Sequence, residues 1–174
     1  MPPKIITLVR HGQAEHNVSR DFQVQDTSLT ALGEAQCHEL SREFPSKPPV
    51  DLLVSSPLRR TIQTTLLGFK KQIESGVKVE LLAELQEATE LPCDTGSSRD
   101  VLEKEELFQG LDFSGLPDDW TSKALYPPPS SLRGRVLILI ATRKENGLQI
   151  LIPSASVPQS PVNGSNPDRR TTLS

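Results

Sequence analysis

Residues 4 to 9, KIITLV, form a nearly unbroken run of apolar and β-branched side chains. A strand with one wet face alternates apolar with polar residues, whereas a run without alternation belongs to a strand covered on both faces by helices. This stretch therefore points to an α/β architecture, and the rest of the chain repeats the theme. VDLLVSS (50–56) reads as a second buried strand, VKVELL (77–82) as a third, RVLILIA (135–141) as a late one and LQILI (148–152) as a short last one. Between the first two strands a helical pattern covers 31–44, with Thr30 as N-cap, Gly33, Cys37, Leu40 and Phe44 on one stripe, and Pro45 beyond the end. After the second strand, Ser56 at an N-cap and Pro57 at the first helical position predict another helix, carrying Leu58, Ile62, Leu66, Phe69 and Ile73 at helical spacing. SSRDVLEKEELF (97–108) is a weaker helical pattern. The alternation predicts a three-layer α/β/α fold with a mainly parallel sheet.

At 174 residues and 35% hydrophobic, the chain has the material for one core. We place that domain at residues 1–152. Residues 153–174 combine Pro, Ser, Asn and Gly without an aromatic side chain, and read as a disordered tail. A net charge of −3 gives no global reason to bind nucleic acid or an anionic membrane, so anion recognition has to come from a local arginine cluster. No apolar run approaches the roughly 18 residues of a membrane span. The two cysteines, Cys37 and Cys93, lack metal-ligand spacing, and MPPKII is not a signal-peptide start. Free thiols in the cytoplasm, with no metal or other cofactor, are the expectation. Nothing in the pattern specifies an oligomeric state.

The chemistry gathers at two strand ends. ITLVRHGQAEHN (6–17) sets Arg10, His11 and Gly12 directly after the first strand, and SSPLRR (55–60) opens the helix after the second. In a parallel sheet both ends face the same side, where open α/β sheets bind ligands. Arginines there suit a phosphate, whose oxygens match the paired donors of a guanidinium. An imidazole is largely neutral at pH 7, and flanking arginines favour that neutral, nucleophilic form. A phosphohistidine intermediate becomes chemically reasonable. A lone histidine at a strand end would be read as a packed or solvated side chain; the order of the surrounding motifs argues otherwise.

LVRHGQAEHN resembles the signature of the histidine phosphatase superfamily, the phosphoglycerate mutase-like fold. TSLTALGEAQC resembles the stretch that begins that family's first helix, SPLRRTIQT its Ser-x-Leu-x-Arg-x-x-x-Thr segment, and LQE (85–87) the loop bearing its acid. The resemblance spans residues 5 to about 126, and LPCDTGS with DFSGLPDDW is similar to the small, largely fungal phosphatase branch. It implies that His11 accepts the phosphoryl group and that Arg10 and Arg60 hold its oxygens. It further implies that Asn17 and Gly12 line the phosphate site and that Glu87 protonates the leaving oxygen. Arg59 falls on the position that faces outward. His16 and His38 match no motif position, and Glu84 and Glu90 beside Glu87 fit a solvated acidic run. The family also has a second histidine after a late strand. Here LILIATRKENG puts Thr142 and Arg143 at that place, and the histidines are His11, His16 and His38. The resemblance implies a hydrolase acting on a small phosphomonoester, or binding inorganic phosphate, with turnover impaired by the missing histidine. The alternatives are a catalytically inactive phosphate-binding or interaction protein, or a truncated gene product.

Overall fold

The computed structural model describes residues 4–47, 49–125, 137–143 and 150–151. The expected tail, 153–174, lies outside them. Five strands, β1 (Lys4–Arg10), β2 (Val50–Ser55), β3 (Val79–Leu81), β4 (Leu137–Arg143) and β5 (Ile150–Leu151), form one sheet in the order β3-β2-β4-β1-β5. β2 and β3 pair in parallel, as do β1 and β5, while β4 runs antiparallel to both β1 and β2. All strands except β4 therefore point the same way, and the sheet is mainly parallel. Along β1, Thr7 and Val9 are buried and Ile6 and Leu8 half-buried, so both faces are covered, as the unalternating sequence requires.

The helices are α1 (Glu15–Ser19), α2 (Ala31–Glu43), α3 (Arg59–Gly68), α4 (Lys70–Glu74) and α5 (Arg99–Glu103). α2 follows its local signals: Thr30 Oγ1 accepts the Gly33 N–H at 3.1 Å, and Gly33 and Cys37 are the buried residues of its stripe. α3 does not. It begins three residues after Ser56, because Leu58 is drawn fully into the core. The first helical N–H, of Arg59, is instead accepted by Asp26 Oδ1 at 2.9 Å, a cap supplied from 33 positions upstream. The long helix expected through Ile73 breaks at Phe69, whose φ of −120° is not helical. Phe69 is fully buried, edge-on to Phe44 at 5.1 Å. β3 has three residues rather than six, since past Leu81 the chain turns into a short 3-10 turn at Ala83–Leu85.

Two apolar clusters hold these elements. Val9, Val50, Leu53 and Phe69 pack β1 and β2 against the helices. Leu58, Ile62, Leu102, Phe108, Leu116 and Trp120 fix the irregular stretch after β3 onto the other side of α3. Among the described residues, no helix is long and apolar enough to cross a membrane.

The topology sets the candidate site. Arg10 stands opposite Leu137 of β4, and Ser55 opposite Ile138, so β1 and β2 end side by side with only β4 between them. Two strand spacings, about 10 Å, separate the ends.

Candidate active site

Gly12 joins β1 to α2 and α3 at close range. Its N–H donates to Thr64 Oγ1 at 3.1 Å, and a Cβ on Gly12 would lie 2.6 Å from the Gly33 carbonyl oxygen. Real side chains do not approach backbone so closely, so the glycine of the Arg-His-Gly triplet is required by this packing. Thr64, the threonine that ends SPLRRTIQT, ties the His11 loop to α3 in the fold, a role that no local pattern marks.

His11 is buried, 8% exposed, and its Nδ1 stands 2.6 Å from the Gly12 carbonyl oxygen. A carbonyl only accepts, so Nδ1 carries the proton and Nε2 keeps its lone pair. Burial first, then the Arg60 guanidinium, drives the His11 pKa down to about 3. The ring is therefore neutral across the working range, with a defined nucleophilic nitrogen.

Arg60 is completely buried. Its Nη1 donates to the Cys93 carbonyl at 2.6 Å, and its Nη2 lies 3.1 Å from Asp94 Oδ1 and 3.8 Å from Glu87 Oε1. Its Nε–H has no acceptor among the described residues. Arg59, by contrast, is partly exposed and pairs with Glu105, away from this cluster. Of the two adjacent arginines, Arg60 alone is fully buried.

Glu87 is half-buried, whereas Glu84 and Glu90 are exposed. Burial first, then Asp94, raises the Glu87 pKa against the opposing pull of Arg60. Two carboxylates share one guanidinium, and Asp94 has the closer contact. The Glu87 carboxyl thus holds its proton more readily than an ordinary glutamate, the direction a general acid needs. Lys123 pins the loop on which both sit, donating to the Glu87 carbonyl at 2.7 Å and the Asp94 carbonyl at 2.8 Å. Asp94 and Lys123 escaped the reading of the sequence; LPCDTGS gave a family resemblance, but no local pattern marks either residue as a partner of Arg60 or Glu87.

Arg10 is exposed at the end of β1 and its guanidinium makes no hydrogen bond or ion pair among the described residues; its charge nonetheless lowers the His11 pKa. Asn17, at the third position of α1, turns back to accept the Ala14 N–H at 2.9 Å. His16 is buried beside them, its ring centroid 6.2 Å from that of His11. His38 lies exposed on α2.

Thr142 and Arg143 do not stand at this end of the sheet. The antiparallel register puts Arg143 opposite Lys4, about 20 Å along β1 from the His11 loop, because β4 runs toward the start of β1 rather than its end. The described surface cavities, of about 410 and 480 Å³, lie beside Lys71 and beside Gln25. The candidate site is therefore recognised by its chemistry and not by volume.

Comparison with known proteins bears on this constellation. The sequence profile of the histidine phosphatase superfamily (branch 1) matches residues 6–145. A probable phosphatase of Schizosaccharomyces pombe is 32% identical over 120 residues, which are 67% of this chain and 55% of that one. A broad-specificity phosphatase of Saccharomyces cerevisiae is 38% identical over 82 residues, 46% of this chain and 36% of that one. Among solved structures, a mycobacterial glucosyl-3-phosphoglycerate phosphatase in complex with VO3 overlaps with a TM-score of 0.41 at 25% identity, covering 62% of this chain and 51% of that one. The chain spans about half the length of these proteins, or less.

Proposed function

This chain belongs to the histidine phosphatase superfamily, and from that membership we propose a phosphomonoesterase that works through a phosphohistidine on His11. One observation carries the reading: a buried, neutral His11 with its proton held on Nδ1 by the Gly12 carbonyl, in the field of Arg60. His11 Nε2 attacks phosphorus in line, so that an N–P bond forms as the ester P–O bond breaks. Arg10 and Arg60 offset charge on the phosphoryl oxygens. Glu87 gives its proton to the departing alkoxide. Water then attacks phosphorus, Glu87 takes up its proton, and Nε2 leaves as the free imidazole.

The substrate class is a small phosphorylated molecule, and Asn17 and Gly12 belong to its phosphate site. Two buried free cysteines, Cys37 and Cys93, support a reducing, cytoplasmic setting. A second reading, phosphate binding with little turnover, is favoured by the absence of a histidine beyond His38 in the sequence. Losing one preorganised donor to a developing oxyanion typically costs a factor of about 10² to 10³ in rate.

The deciding experiment measures p-nitrophenyl phosphate hydrolysis and labelling by a radioactive phosphate donor, comparing the natural chain with His11→Ala. Turnover with an acid-labile label, both lost in His11→Ala, is the expected result. Phosphate binding with neither turnover nor label would favour the second reading.

A further inference from the structure

Three hydrogen bonds beside His11 can be read in one direction only. The Ala14 backbone N–H is a donor, so the Asn17 side chain must meet it with Oδ1, at 2.9 Å. The Asn17 Nδ2 group then faces His16 Nε2 at 3.0 Å, and an amide nitrogen has no lone pair to offer, so Nε2 accepts. A neutral ring accepting at Nε2 carries its proton on Nδ1, which stands 2.5 Å from Thr27 Oγ1 and donates to it. The orientation of the Asn17 amide and the tautomer of His16 thus determine each other.

Such an arrangement exceeds what the local fold needs. The Asn17–Ala14 bond alone caps the five-residue α1, and Asn17 is exposed, where water would satisfy its Nδ2. Yet an imidazole only 6% exposed is held against it, its ring centroid 6.2 Å from that of His11. Nδ2 bears two hydrogens. One is engaged by His16, and the other has no acceptor among the described residues.

We infer that His16 is a positioning residue, held neutral against Thr27, which fixes the Asn17 amide so that its second N–H donates to a phosphoryl group at His11. This rests on the reading of His11 given above. Without His16, the amide keeps its Ala14 contact but rotates more freely about its side-chain bonds, and a donor to the anion loses its preorganisation.

The test uses the full chain. Inorganic phosphate affinity by titration calorimetry, and KM and kcat for p-nitrophenyl phosphate, are measured for His16→Phe, His16→Gln, Asn17→Ala and the His16→Phe, Asn17→Ala double variant. His16→Phe is expected to weaken phosphate binding about tenfold, the worth of one hydrogen bond to a charged group. His16→Gln restores most of it, since its Oε1 can accept from Asn17 while its Nε2 donates to Thr27. In the Asn17→Ala background, His16→Phe changes nothing further. Equal losses with and without Asn17, or a folded His16→Gln as weak as His16→Phe, would overturn the inference and leave the phosphatase reading intact. If His16→Phe does not fold, Thr27→Val keeps the ring and releases its tautomer, and weakened phosphate binding is again expected; unchanged binding overturns the inference. A natural chain that binds no phosphate and hydrolyses nothing overturns both readings. Ring ¹⁵N shifts give an answer without phosphate: the Nδ1–H tautomer of His16 is expected, and the Nε2–H tautomer refutes the arrangement.

Discussion

The chemistry of single residues here follows from which charge lies closest. Glu87 shares the Arg60 guanidinium with Asp94 but holds the longer contact, and burial, then Asp94, raises its carboxyl pKa from the ordinary 4.5. Glu87→Gln should therefore lower kcat on alkyl phosphates by about 10²-fold or more. The loss on p-nitrophenyl phosphate should be much smaller, because that leaving group departs as a stabilised anion and needs less protonation. Steady-state kinetics on the two substrates checks the difference. His11 makes a second, thermodynamic prediction. The folded state keeps it neutral down to about pH 3, while an unfolded chain protonates it near 6.5. Between those values the unfolded state binds more protons, so stability falls as pH drops through that window. Melting temperatures should decline from pH 7 toward pH 4, and the decline should be shallower in His11→Gln, by about one proton in the linkage slope. His16, lowered by the same causes, adds in the same direction.

Elements act here through close backbone approach. α2 meets the His11 loop where Gly12 and Gly33 face one another, and a Cβ on Gly33 would lie 2.1 Å from the Gln13 carbonyl oxygen. Gly33→Ala should push loop and helix apart, lowering stability by about 1–3 kcal/mol as overpacking does. Because the loop carries His11, phosphate affinity should fall with the melting temperature, and calorimetry reads both. The strand and helix sequence was largely readable from the chain. β1, β2 and α2 follow from apolar runs and the Thr30 cap, signals that sit within a few residues of what they specify. The start of α3 was not readable, because its cap is the Asp26 carboxylate, 33 positions away, and Leu58 gains more from burial than from a helical turn. The split at Phe69 has the same origin: one large ring buried against Phe44 outweighs the continuity of an apolar stripe.

At the scale of the molecule, the site is a junction of segments far apart in the chain. Gly12 bonds Thr64, Arg60 bonds the 93–94 loop, and Lys123 closes that loop from the far side. A ligand binding there stabilises the whole fold by linkage. Inorganic phosphate at a hundred times its dissociation constant should add about 2.7 kcal/mol of stability and raise the melting temperature. Chloride at the same ionic strength, as the control in a thermal-shift experiment, should not.

Local order in the chain was sufficient for the α/β class, for the adjacency of Arg10 and His11 at a strand end, and for the collinear motifs that mark the family. These depend on periodicity and short spacing, which a sequence displays directly. It could not say that Asp94 would outcompete Glu87 for Arg60, that Lys123 would hold their loop, or that His16 would lie beside His11 with a defined tautomer. Nor could it reveal that β4 runs antiparallel and carries Arg143 to the remote end of β1. Each of these is a contact between residues tens of positions apart, or a choice between equally charged neighbours. Such choices are made by burial and hydrogen-bond direction, which exist only once the chain has closed on itself.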